Sequence, residues 1–331
     1  LLTSASAAVV YGKASIPAAA LDTASRRFAR GLHGIGVRSG DRVGLWLPNT
    51  HAWLTAFFAC AHLGAIAFAI NTRFRAAEIG DVIHRAGIRT LVFWPGFRQI
   101  GFERILADVP REALGSLKQF IVYSEDAAPH APKVIGKPAF AWADIADADA
   151  LAESHAAPDA PCVIFTTSGT TRLLKFVMHS QESIASHSAD IARAFEMDTP
   201  GAAVLLTIPL CGTFGLSHAL SGLAGGGRVI LTSAFDAAES AGLIVKHGVT
   251  HIPAVTDVVA RLLAARNDAV PYPSMRLVVG VRKGQAAPAD ARGLRLVGVY
   301  GSSELQAMLS RQPSDASPEQ RELGGGRLVS A

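Results

Sequence analysis

The 331 residues, 50% of them hydrophobic, supply enough apolar surface for a sizeable core and exclude an extensively disordered chain. A net charge of +4, from 31 basic and 27 acidic residues with no block of like charge, leaves no footprint for nucleic acid or a membrane surface, while an anionic small molecule stays compatible. Cys60, Cys162 and Cys211 lie far apart without C-x-x-C spacing, which argues against a disulfide framework or a zinc site and makes a reducing cytoplasm the expected setting.

Leu21, Ala24, Phe28 and Leu32 recur at spacings of three and four, which predicts an amphipathic helix over 16–36. A strand is expected over 42–47, stopped by Pro48-Asn49. Thr50 then caps a helix over 51–63 whose apolar residues nearly surround it, so burial on all sides is expected. Further strands are expected at 65–70, 90–94 and 119–123, with a helix over 76–86. The most apolar stretch, 52–70, is interrupted by His62 and Gly64 and does not read as a span of about 20 residues. The start lacks the order of a signal peptide, and with Leu1 in first place the sequence is expected to be part of a longer product.

Between 124 and 161 the composition shifts to Ala, Asp, Pro and His, which reads as a surface linker containing a domain boundary. Alternation then resumes: strands at 162–166, 203–208, 228–231, 250–252, 276–279 and 294–299, helices at 181–196, 216–224, 237–247 and 256–265. This grammar predicts an α/β fold of two βαβ-type subdomains, 1–150 with the linker and 151–331, each a mainly parallel sheet flanked by helices. Ligands of such sheets lie at the carboxyl ends of strands.

Two stretches occupy such ends. The apolar run Val163-Ile164-Phe165 leads into Thr166-Thr167-Ser168-Gly169-Thr170-Thr171, and Lys175 follows four positions later. Small residues free backbone N–H groups, hydroxyls donate further hydrogen bonds and lysine adds a point charge, so a polyphosphate could sit there. An ordinary Ser/Thr/Gly turn between two strands is the plainer reading. A Walker loop needs glycine before the lysine and a hydroxyl after it; Leu174 and Phe176 hold those places and exclude it. The second stretch is Tyr300-Gly301-Ser302-Ser303-Glu304, which combines an aromatic face, a glycine turn, two hydroxyls and a carboxylate able to hold Mg²⁺.

In this order the two stretches resemble the signatures of the AMP-forming adenylating superfamily, which includes acyl-CoA synthetases. The first resembles Ser/Thr-Ser-Gly-Ser/Thr-Thr-Gly-x-Pro-Lys-Gly and the second Tyr-Gly-x-Thr-Glu. The segments 38–49 and 64–71 also look like that family's N-terminal region, and 209–215 like its acyl-pocket segment, with Phe214 and Gly215 as candidate lining residues. The resemblance implies an acid–thiol ligase: ATP activates a fatty or aromatic carboxylic acid to an acyl-adenylate, and CoA takes the acyl group. Thr167, Ser168, Gly169, Thr170, Thr171 and Lys175 would hold the β- and γ-phosphates. Tyr300 would stack on adenine within the Gly301-Ser302 turn, Ser303 would meet the α-phosphate, and Glu304 would bind Mg²⁺. Lys175 and Glu304 carry the expected catalytic roles, because in-line attack on phosphorus needs placement and charge neutralisation. The acid and CoA are the expected partners, nucleic acid and membrane are not, and a homodimer is left open.

Three positions depart from the first signature: Arg172 and Phe176 replace glycines and Leu174 replaces proline, which should restrict a loop that must move. The family continues into a ribose-binding aspartate and a small lid domain, so the large N-terminal domain without its lid is expected here. Rival readings are an adenylation domain that loads a carrier protein and a catalytically impaired nucleotide-binding remnant. His179, His187 and His218 are more simply structural than catalytic, Asp257 and Arg261 read as a solvated i,i+4 pair, and Met308 and Leu309 as core.

Overall fold

Two short strands carry no periodicity in the sequence, β1 (Ala8–Tyr11) and β2 (Ala14–Pro17), which form an antiparallel hairpin through Gly12 at φ 60°. Ile16 therefore lies in β2, and the first helix, α1, runs Ala18–Gly34 rather than 16–36. The computed structural model describes residues 2–126, 132–167, 173–266, 268, 270–280, 293–313, 317 and 326–330. They belong to two compact units, one of Leu1–Ala19 with Ile184–Ala331 and one of Ala20–Ser183.

In the unit Ala20–Ser183, α1 is followed by β3 (Arg42–Trp46), α2 (His51–Leu63), β4 (Ile66–Ala69), α3 (Ala76–Ala86), β5 (Thr90–Phe93), α4 (Phe102–Ala107) and β6 (Gln119–Val122). Thr50 caps α2 as expected, its hydroxyl accepting from the Trp53 amide at 3.3 Å, and α2 is buried along ten of its positions. The stretch read as a linker is not one throughout. It contributes β7 (Lys133–Val134), β8 (Lys137–Ala141) and α5 (Trp142–Ala146), and β8 extends the sheet by pairing with β6. Its alanines and prolines hid the pattern, since only Ala139 in β8 is buried. Then come β9 (Pro161–Thr167) and β10 (Lys175–Ser180). The eight strands lie in the order β10, β9, β4, β3, β5, β6, β8, β7, parallel except where β10 meets β9 and β7 meets β8. Central strands that are apolar throughout suit a sheet covered on both faces. Phe68, Phe93 and Phe120 are fully buried in its core, each contributing about 1.5–3 kcal/mol.

The other unit takes β1 and β2 into its own sheet. It contains α6 (Gln181–Ala194), β11 (Ala203–Leu206), α7 (Thr213–Ala224), β12 (Arg228–Leu231), α8 (Ala237–His247), β13 (His251–Pro253), α9 (Thr256–Ala264), β14 (Leu277–Val279) and β15 (Leu296–Val297). The order is β15, β14, β13, β11, β12, β1, β2, parallel except for β2. The strand expected over 294–299 divides after Val297. Past Gly298 the chain enters a small antiparallel sheet of β16 (Val299–Tyr300), β17 (Ser310–Arg311) and β18 (Arg327–Leu328). Both units are thus α/β, with mostly parallel sheets flanked by helices.

Candidate functional site

Cys162 to Phe165 of β9 are buried, and the strand emerges at Thr166 and Thr167, which are half-buried. β10 pairs antiparallel with β9, with Lys175 opposite Thr167 and Phe176 opposite Thr166. β9 and β10 are thus paired strands that flank the stretch read either as a phosphate cradle or as a turn. Ser168, Gly169, Thr170, Thr171 and Arg172 lie outside the described residues. Lys175 is exposed at the first position of β10. Two of the three departures from the signature have an evident use, because Leu174 and Phe176 pack against the core of this unit.

The second motif starts at Tyr300, which is 62% exposed and so free to stack on a flat ligand. Gly301 is required by close approach: a Cβ there would come within 2.3 Å of the Ala307 carbonyl oxygen. Ser303, Glu304 and Leu305 form a single 3₁₀ turn. Gln306 and Ala307 then adopt φ of 50° and 69°, a left-handed pair costly for residues with a side chain. The fold holds that turn in place from α7. Ser217 Oγ donates to the Gln306 carbonyl at 3.0 Å, Thr213 Oγ1 donates to Ser303 Oγ at a long 3.5 Å, and Ser221 Oγ donates back to the Ser217 carbonyl at 2.6 Å. Met308 is fully buried beneath the turn, as its sequence reading expected.

Thr213, Ser217 and Ser221 were missed by sequence reading. Their signal was present: three hydroxyls at i,i+4 spacing on a helix whose other positions are mostly apolar. Because α7 begins at Thr213 rather than at the expected 216, Phe214 and Gly215 stand in its first turn. A Cβ on Gly215 would come within 2.0 Å of the Pro209 carbonyl oxygen, so backbone packing accounts for this glycine. The Phe214 ring meets His218 edge-on at 4.6 Å and crowds Gly280, where a Cβ would lie 2.8 Å from the ring.

The histidines set aside as structural have structural surroundings. His218 is fully buried, its Nδ1 paired with the Phe214 carbonyl at 2.8 Å, and burial pushes its pKa down to about 4. His251, which the sequence reading did not single out, is likewise pushed down to about 4 by burial, and its Nε2 faces the Phe195 carbonyl at 2.9 Å. His187 Nδ1 pairs with Ser330 Oγ at 3.1 Å, and His179 is buried beside Phe165. The expected Asp257–Arg261 pair is replaced by a stack, with the Arg261 guanidinium 4.8 Å from the centre of the Phe235 ring. An aromatic face desolvates the cation more effectively than an exposed carboxylate on the same helix.

Among the described residues no three His, Cys, Asp or Glu side chains gather to hold a metal. Exposed Glu304 supplies one carboxylate, a donor set that suits Mg²⁺ arriving with phosphates and does not suit a resident ion caged by protein. No helix among the described residues is long and apolar enough to cross a membrane.

Comparison with known proteins gives a consistent picture. The family model described as AMP-binding enzyme matches residues 3–329. Protein Y of Streptomyces griseus is 30% identical over 233 residues, covering 69% of this chain and 73% of that protein. Rice 4-coumarate–CoA ligase 5 is 30% identical over 271 residues, 78% of this chain but 46% of the ligase, so the chain spans about half the length of that relative. Among solved structures, the inhibitor-bound N-terminal domain of FACL13 from Mycobacterium tuberculosis superposes with a TM-score of 0.77 at 24% identity, over 97% of this chain and 78% of that one.

Proposed function

Since the chain belongs to the family of AMP-binding enzymes, we propose that its protein is an AMP-forming acid–CoA ligase that activates a fatty or aromatic carboxylic acid with ATP. The observation that carries the reading is the second motif: an exposed tyrosine, a glycine fixed by backbone approach, and a serine and a glutamate on a turn strained at two residues and secured from α7. Strain of this kind persists where the surrounding structure enforces it, and it clusters at ligand-binding sites. The name of the rice relative supplies the reaction class.

In this reading Thr167 and Lys175, with Ser168, Gly169, Thr170 and Thr171, bind the β- and γ-phosphates. Lys175 neutralises charge that builds on pyrophosphate as it leaves. Tyr300 stacks on adenine above Gly301 and Ser302, Ser303 donates to the α-phosphate, and Glu304 anchors Mg²⁺, which supplies Lewis acidity at the phosphoryl oxygens when bound. No side chain need act as a nucleophile, because the carboxylate of the acid is one. The CoA thiol then takes the acyl group as a thioester, and AMP leaves.

A second reading, nucleotide binding without turnover, is favoured by Leu174 and Phe176, whose packing limits freedom beside the phosphate stretch. Calorimetry with a non-hydrolysable acyl-adenylate analogue and with ATP separates the two. Analogue binding much tighter than ATP supports the ligase. Equal, weak binding of both supports the second reading, and no heat from either removes both.

A further inference from the structure

Asp81 and Arg85 form an i,i+4 pair on α3, with two guanidinium–carboxylate contacts at 2.6 Å. Such a pair ordinarily serves its own helix. Here the same guanidinium also reaches β10: Arg85 Nη2 donates to the Leu174 carbonyl at 2.7 Å, and its central carbon lies 4.2 Å from the centre of the Phe176 ring. Phe176 in turn meets Phe68 of β4 edge-on at 5.0 Å. Carboxylate, carbonyl and ring together use the edges and the face of one planar cation, which the ammonium of a lysine could not reproduce.

Leu174 and Phe176 are the two sequence neighbours of Lys175. Successive strand residues face opposite ways, so with Phe176 committed to the core the lysine turns outward, and it is exposed. We propose that Arg85 is a positioning residue for Lys175: held by Asp81, it fixes the backbone before the lysine and the ring after it, and so fixes where the ammonium meets nucleotide phosphate. The role rests on the nucleotide reading above. It also explains Leu174 and Phe176 together. A proline ahead of the lysine would stiffen the backbone by its own ring, whereas in this chain α3 supplies that stiffness from outside.

The test compares the unmodified protein with Arg85→Ala, Arg85→Lys and Asp81→Asn, reading amide hydrogen exchange over 173–177 without ligand and MgATP affinity by calorimetry. Arg85→Ala is expected to exchange about tenfold faster over 173–177 with β5 unchanged, and to raise the MgATP Kd about tenfold, or about 1.4 kcal/mol. Arg85→Lys should recover less than half of either effect, and Asp81→Asn should shift both in the same direction by less. A merely structural role would speed exchange throughout the sheet and leave the affinity of the folded protein unchanged, which overturns the proposal. Folded Arg85→Ala or Asp81→Asn protein that binds MgATP as tightly as the unmodified chain overturns it too, while the nucleotide reading survives. An unmodified protein that binds no MgATP overturns that reading and this role with it.

Discussion

Lys175 and Tyr300 both stand exposed at strand ends, yet the two are held by opposite kinds of interaction. Around Lys175 the supports are mainly apolar and cationic: Leu174 and Phe176 packed against the core, with a guanidinium that lies against the ring and donates to the Leu174 carbonyl. Around Tyr300 they are polar and conformational: a glycine with no room for Cβ, two left-handed residues and hydroxyls from α7. The difference teaches which departures from a signature a site can absorb. Apolar anchoring is non-directional, so residues of another shape can take over the support at Lys175. Hydrogen bonds and left-handed backbone depend on particular atoms, and the second motif keeps its pattern with only Ser303 in place of threonine.

The widest way to separate the two regions is acid. His218 and His251, in the unit that carries Tyr300, bind protons about 2.5 units less readily than an unfolded histidine of pKa near 6.5, because burial disfavours their charge. Their folded pKa values are depressed, so the stability they confer is complete above pH 6.5 and is lost as pH falls towards 4. Between pH 7 and pH 5 the pair should cost about 3–4 kcal/mol, read as a drop in urea midpoint of the transition that reports this unit. A flat midpoint over that range would contradict the burial of both rings. Burial also lowers the pKa of His51 and His62 in the other unit, where Asp22 opposes the effect at His62. Acid should therefore loosen the tyrosine-bearing unit first.

The next largest effect is expected at Gly301. Alanine there must displace the Ala307 carbonyl, at a cost of about 1–3 kcal/mol, seen as a lowered Tm. Ser217→Ala removes the bond to the Gln306 carbonyl and should cost about 1 kcal/mol by the same measurement. If either variant melts like the unmodified protein, the turn is not secured as described. Lys175→Ala should change stability by less than about 0.5 kcal/mol, since its side chain is exposed. Its consequence belongs to binding alone.

The sequence made the α/β alternation legible because long helices and wholly apolar central strands carry strong periodicity; α2, with Thr50 as its cap, and the strands around it follow directly. Short elements were not legible. β1 and β2 are four residues each, too short for a pattern, and only pairing with β12 reveals β1 as a sheet strand. β8 was hidden by small residues, and the division at Gly298 by an unbroken apolar run. For the proposed site, composition and strand-end placement pointed to Lys175, Tyr300 and Glu304, because their chemistry stands in their own side chains. Arg85 carried no signal of its role, and the i,i+4 hydroxyl pattern that includes Ser217 did not name its partner. Their partners, Phe176 and Gln306, are 91 and 89 residues away, and only the fold brings them together.

The most direct measurement is a calorimetric titration of the protein with MgATP, repeated with Lys175→Ala and Tyr300→Ala. Saturable binding to the unmodified protein, with Kd raised about tenfold in each variant, is the expected result. Absence of saturable binding, or an affinity that neither substitution changes, would contradict the assignment of these two residues to a nucleotide.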